Sequence, residues 1–320
     1  MNMYFGQLHS NSEGFNMKTK RFLMIAVGLC VAASLTAQIR ITKAERLPLS
    51  QSHRWTLPVF SPNGEKIYFT EENFDGIWEY TRSSKSVRQV CDDSRSGFAF
   101  SLSADGGQLA YRTTTDEGSR ERQQHIVIKN LKTSEVNAVR QGSDVAAPVF
   151  SGSTLVASDA IGPENAAPAT GGTPVLLGIE NTKIALLING RKTILDPLKG
   201  GSYIWPSLSP NKQMLLAYEM GRGTFVCDLQ GGHLTGLGRC DAPAWTRDGR
   251  WIVYMADNDD GQRILSSEIM AVSVDGKTTL QLTSTADVLE MNPQCSSVDN
   301  TIVCSTAGGE LYLLTYEVTQ

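Results

Sequence analysis

The chain has 320 residues, of which 41% are hydrophobic and 19% charged, and its formal net charge is −4. This is an ordinary globular composition, with enough chain for one or two domains and a real core. Acids and bases are interleaved and no basic stripe occurs, so nucleic acid is not an expected partner.

The N-terminus reads as an export signal. Lys18, Lys20 and Arg21 precede an uncharged apolar run from Phe22 to Ala33, and small residues follow through Ala37. The run is shorter than the roughly 20 residues a spanning helix needs, so a cleaved signal peptide is expected over 1–37 in place of an anchor. Met17 directly precedes the basic residues and is the alternative start. Leu29 before Cys30 is bulkier than the small residue that usually precedes a lipid-modified cysteine, which disfavours a lipoprotein. The exported chain then covers residues 38–320, and no transmembrane segment is expected within it.

Beyond that point a short phrase returns six times: an apolar residue, Ser or Thr, a turn, and a second apolar run. Its copies are Phe60-Ser61, Phe100-Ser101, Phe150-Ser151, Leu208-Ser209, Trp245-Thr246 and Cys295-Ser296. Two residues earlier stand Pro58, Pro148, Pro206, Pro243 and Pro293, with Phe98 as the exception in the second unit. A period of roughly 40–50 residues marks a stacked-unit architecture.

Within the first unit, Pro58 to Phe60 reads as a strand, Ser61-Pro62-Asn63-Gly64 as a turn and Lys66 to Thr70 as the returning strand. Third strands are expected over 76–81, 125–130, 183–188, 224–229, 268–274 and 310–316. Fourth strands are expected over 86–90, 136–139, 192–195 and 278–282. No amphipathic helix is visible in the exported chain. Six four-stranded units describe an all-β, six-bladed β-propeller. The sixth unit ends one strand short at Gln320, and Gln38 to Ala44 is an orphan strand that would close the ring and cover the open edge. The segment 162–174, rich in Ala, Pro and Gly, reads as a mobile loop inserted in the third blade. The charged segment 113–124 reads as a solvated turn at a blade edge.

Pro58-Val59-Phe60-Ser61-Pro62-Asn63-Gly64 and Pro243-Ala244-Trp245-Thr246-Arg247-Asp248-Gly249 resemble the TolB-type, WD40-like propeller repeat, and Tyr203 to Asn211 is a partial match. The resemblance covers residues 38–320 and implies the fold. Unlike TolB itself, no α/β domain precedes the first blade in this sequence, so a part in that translocation system is not expected.

Catalytic signatures are mostly absent. There is no Gly-x-Ser-x-Gly elbow, no phosphate-binding Gly-x-x-x-x-Gly-Lys loop and no His-Glu-x-x-His, and no catalytic residue or cofactor is expected. His53, His125 and His233 fall in different units and read as surface or hairpin residues. Asp257, Asp259 and Asp260 form a calcium-loop candidate with Gly261, but the segment is read as a polar hairpin because no distal bidentate Glu follows. Cys295 and Cys304 are a disulfide candidate across the turn at Asp299-Asn300; two buried thiols are the favoured reading, since a cross-strand bridge demands tight geometry. Residues just before the first strands should line one mouth of the channel: Arg54 or Trp55, Arg95, Asp144, Tyr203, Asp241 and Glu290. Such a polar mouth suits a partner peptide or polar ligand. The expected function is an exported, non-enzymatic interaction module binding envelope protein, with carbohydrate binding or action at the channel mouth as the alternative. An acid pair with an exposed aromatic would favour sugar, and a broad apolar rim would favour protein.

Overall fold

The computed structural model describes residues 38–115, 123–156, 172–285 and 287–319. The expected signal peptide, most of segment 162–174 and the centre of segment 113–124 lie outside the described residues. The described residues form strands and connecting turns, with no helix among them. None of them therefore forms a helix long and apolar enough to cross a membrane.

The strands follow one order in five blades, and the third departs from it. After β1 (Gln38–Arg46), the first blade is β2 (Trp55–Phe60), β3 (Lys66–Glu71), β4 (Ile77–Thr81) and β5 (Ser86–Cys91), hydrogen-bonded in that sequence. The second is β6 (Phe100–Leu102), β7 (Gln108–Thr115), β8 (Gln123–Asn130) and β9 (Val136–Gly142). The third contains β10 (Val149–Ser151), β11 (Thr154–Val156), β12 (Val175–Glu180), β13 (Lys183–Ile188) and β14 (Arg191–Leu195). Then come β15 (Tyr203–Leu208), β16 (Met214–Glu219), β17 (Gly223–Asp228) and β18 (Thr235–Gly238). The fifth blade is β19 (Asp241–Trp245), β20 (Trp251–Asp259), β21 (Ile264–Ser273) and β22 (Thr279–Gln281). The last is β23 (Glu290–Cys295), β24 (Thr301–Thr306) and β25 (Leu311–Thr319), completed by β1. The architecture is a six-bladed propeller, and β1 pairs antiparallel with β25 from Gln38↔Thr319 to Arg46↔Tyr312.

The recurring phrase makes a side-chain-locked turn between the first two strands of a blade. Ser61 Oγ donates to Asn63 Oδ1 at 2.7 Å and accepts the Lys66 amide at 2.9 Å, and Gly64 completes the turn at φ +69°. Ser209 with Asn211 and Thr246 with Asp248 repeat the device at 2.7 Å each. In the second blade the corresponding bond runs from Ser103 to Asp105 at 2.6 Å. The repeat in that unit is thus Leu102-Ser103, two residues later than the Phe100-Ser101 expected, and Phe100 takes the proline position there in place of Phe98. Alternating serines at 101 and 103 made either register readable; the Asp105-Gly106 turn decides it.

Two strand expectations need correction. The third blade is split into a β10–β11 hairpin and a three-stranded sheet β12–β13–β14. Its β12 went unrecognised because it follows the Gly- and Pro-rich segment. The long hairpin of the second blade keeps its ladder to Thr115↔Gln123, so the ends of the expected 113–124 turn are strand.

The core lies between neighbouring blades. Ile39, Trp251, Ile269, Ile302 and Tyr316 pack blades five and six together, and Trp55, Ile67, Phe69, Val303 and Leu311 pack six against one. Each sheet is consequently apolar on both faces, which explains the buried runs of Leu215 to Ala217 and Ile302 to Cys304 at the blade centres.

Candidate functional site

The first strand of each blade forms the channel wall, and in four blades it carries the same irregularity. Leu57-Pro58, Trp205-Pro206, Ala242-Pro243 and Asn292-Pro293 each place two residues opposite one on the second strand, interrupting the register. Proline has no amide to give a ladder, so a bulge is where a strand tolerates it. The residue before each proline is left-handed, with φ of +48° at Leu57, +50° at Trp205, +47° at Ala242 and +51° at Asn292. Non-glycine residues cost on the order of 1–3 kcal/mol each in such conformations. Four equivalent left-handed residues therefore ring one space, three of them strained and the fourth an asparagine, which tolerates the conformation.

That space is a cavity of about 440 Å³, lined by the bulges together with Val59, Ser207, Trp245, Gln294 and neighbouring wall residues. Among the described residues no ionisable side chain other than the Cys295 thiol lines it, and burial pushes that thiol up, so this lining is neutral. Trp205 is 42% exposed, with its ring edge-on to Tyr218 at 5.5 Å. The Trp245 indole nitrogen and the Ser207 hydroxyl are buried without a hydrogen-bond partner. An unpaired buried polar group costs about 1–3 kcal/mol, so an acceptor oxygen entering the channel would gain from meeting them.

Strands alternate in direction within each blade, so the first-strand starts and the second-to-third-strand turns share one face. Here the expected mouth residues separate. Trp55 and Tyr203 are core residues at 4% and 2% exposure, and the Tyr203 hydroxyl donates to Asp196 at 2.7 Å. They do not line the mouth: they are the first residues of β2 and β15, turned between blades. Glu290 is buried too, accepting the Thr285 hydroxyl at 3.0 Å. Arg54 is exposed and paired with Glu72, and Asp144 is exposed. Arg95 is exposed on a different part of the face, over the Phe74 ring.

Asp241 meets a partner that the sequence reading placed elsewhere. The Arg239 guanidinium donates to Asp241 Oδ2 at 2.8 Å and to Asp257 Oδ1 at 3.2 Å. Burial, then the Asp257 carboxyl, push the Asp241 carboxyl above its usual range, and Arg239 opposes them. A raised acid loses folding stability as pH rises through its folded value. Replacing Arg239 by Ala raises Asp241 further, so the variant should lose about 1 kcal/mol at pH 7, solvent screening of the exposed guanidinium included, and less at pH 4. Urea unfolding at the two pH values checks this; equal losses would contradict the coupling.

The calcium candidate is committed internally. Asp257 faces Arg239, Asp259 accepts the Gly261 amide at 2.8 Å, and Asp260 accepts the amides of Gln262 and Arg263 at 3.0 and 2.9 Å. Among the described residues no three His, Cys, Asp or Glu side chains are grouped to hold a metal ion. His53 stacks on Trp55 and meets Glu71, His125 meets Thr115, and His233 meets Asp228. Cys295 pairs with Ile302 and Cys304 with Tyr312, and both thiols are free. The turn at 296–301 sets Cys295 opposite Ile302, and Cys304 lies two residues farther along, opposite the Asn292-Pro293 bulge.

No family model and no curated protein matches the sequence. Solved structures do match in fold. TolB from Acinetobacter baumannii is 17% identical, with a TM-score of 0.53 over 77% of this chain and 58% of that one. The Swd1 β-propeller domain from Myceliophteria thermophila is 11% identical, with a TM-score of 0.57 over 87% and 99%. The chain thus spans 58% of the TolB chain it matches. At these identities the likeness establishes the propeller fold.

Proposed function

We propose that this chain is an exported, non-enzymatic binding propeller of the cell envelope that holds a protein segment at the channel mouth. One observation carries the reading: exposed apolar side chains stand on the channel face, and its acid pair is neutralised. Phe98, Trp205, Met220 and Leu265, 42–62% exposed, stand on the face where the channel opens, in the second, fourth and fifth blades. Apolar groups this exposed are what a protein partner covers. Asp241 and Asp257, the carboxylates that could act as acid and base, share one arginine instead. The signal-like N-terminus supports export, and the propeller's rigid ring with loops on one face suits an interaction module.

A neutral glycan is the second reading, favoured by one feature. Trp205 offers an aromatic surface beside the unpaired Ser207 and Trp245 groups. Affinity capture from envelope extract, run beside a glycan array, separates the two. A protein captured by the wild type and lost with Trp205→Ala is the expected result. An uncharged glycan bound in its place, with no captured protein, would reverse the ranking.

A further inference from the structure

Away from the cavity, the same face carries a ridge of alternating charge and ring. Phe74, in the β3–β4 turn, and Phe98, ahead of β6, meet edge to face at 5.4 Å. The Arg95 guanidinium lies 5.7 Å from the Phe74 ring centre, and that of Arg112 lies 5.8 Å from the Phe98 ring centre. The order is cation, ring, ring, cation.

The backbone fixes this arrangement. Phe74 and Arg95 are both left-handed, at φ +65° and +61°. Phe74 O accepts the Gly97 amide at 2.9 Å, and a Cβ on Gly97 would sit 1.9 Å from Thr70 Oγ1. Only glycine allows the loop to press so closely against β3.

The nearby acids are already engaged. Asp75 Oδ1 accepts Ser94 Oγ and the Arg95 amide at 3.2 and 2.8 Å, while Oδ2 accepts Asn73 Nδ2 at 3.2 Å. Asp93 accepts the Tyr111 hydroxyl at 2.5 Å. Arg112 donates to Val145 O at 2.7 Å. Neither Arg95 nor Arg112 has a carboxylate partner among the described residues, whereas Arg54, Arg82, Arg88, Arg239 and Arg250 each do. Two cations without carboxylate partners therefore flank an aromatic pair of which Phe98 is exposed and Phe74 half-buried.

From this charge complementarity we infer that the ridge is a docking site for an extended acidic segment of a partner protein, with an apolar or aromatic residue between its carboxylates. The segment's carboxylates would pair with Arg95 and Arg112, and its apolar residue would cover Phe98, which is 52% exposed. An extended chain advances about 3.3 Å per residue, so acids a few positions apart span the ridge. The inference rests on the protein-binding reading and names the chemistry of the bound segment.

Panning a random twelve-residue peptide display library on the full chain tests it. Enriched sequences are expected to carry Asp or Glu on both sides of Phe, Tyr, Trp or Leu. A synthetic consensus peptide should bind about fivefold or more weakly to Arg95→Asn, and more weakly still in high salt. Asparagine tolerates the left-handed backbone and Arg95 is exposed, so an unchanged melting temperature will show that the variant is folded. Phe98→Ser should give a comparable loss. No enrichment, enrichment without acids, or affinity indifferent to Arg95→Asn would each overturn the inference. So would retention on heparin that Arg95→Asn abolishes, with no acidic peptide selected. If the envelope partner's binding is lost with Trp205→Ala and kept with Arg95→Asn, the ridge assignment falls and the protein-binding reading stands.

Discussion

Replacing Ile39 by Asp should destabilise the propeller by about 4 kcal/mol, because it places a carboxylate in the seam that closes the ring. Ile39 is 3% exposed among Trp251, Ile269, Ile302 and Tyr316, and its strand covers the edge of β25. Without that cover β25 presents unpaired amides and carbonyls, which invites aggregation as well as unfolding. A melting-temperature loss of roughly 10 °C is expected on the usual size scaling. Arg40→Ser on the same strand removes only an exposed pair with Glu317 and should cost less than about 1 kcal/mol. Ile39→Asp melting like the wild type would mean that β1 does not complete the sixth blade in solution.

Glu79→Ala should also be damaging, at about 2–3 kcal/mol, for a different reason. Glu79 is 3% exposed and holds three partners: the Tyr68 hydroxyl at 2.8 Å, Arg88 through two bonds of 2.9 Å, and Lys66 at 3.1 Å. Its removal leaves the buried Tyr68 hydroxyl without its acceptor and strips the partly exposed Arg88 and Lys66 of their shared carboxylate. Burial alone would raise the Glu79 carboxyl, but hydrogen bonds from Arg88, Tyr68 and Lys66 outweigh it and hold the group below its ordinary 4.5. A lowered acid stabilises the fold fully above the unfolded value and loses that contribution as pH falls through the folded one. Wild-type stability should therefore fall below about pH 4.5, and Glu79→Gln should show a flatter acid limb in urea unfolding. Identical acid limbs would remove Glu79 from the account.

Much of the fold was legible because it is written in local chemistry. The Ser-x-Asn-Gly turn at 61–64 and the Thr-x-Asp-Gly turn at 246–249 announce their hairpins, and the orphan strand at 38–44 matches the strand missing at the other end. The second unit misled because Ser101 and Ser103 alternate, and only Asp105 tells which one anchors the turn. The strand β12 was missed because a low-complexity stretch precedes it, although Asn181 marks its turn into β13.

The site was harder to read. A proline in mid-strand did signal a bulge at Pro58, Pro206, Pro243 and Pro293, and read that way it would have placed the cavity. That Trp55 and Tyr203 turn inward between blades depends on the packing of neighbouring sheets, which spacing does not encode. Arg239 is two residues from Asp241 but eighteen from Asp257, and the ladder, not the local sequence, brings the second carboxylate to the same guanidinium. The Phe74–Phe98 contact likewise joins two blades.

Binding at the loop face around the channel is the claim on which the functional account turns. Site-specific photo-crosslinking in intact cells addresses it directly, with a benzoylphenylalanine placed at position 205 beside the cavity or at position 298 on the opposite face. A discrete protein adduct from position 205, absent from position 298, is the expected result. Adducts from position 298 alone would place the partner on the wrong side of the ring and contradict the account.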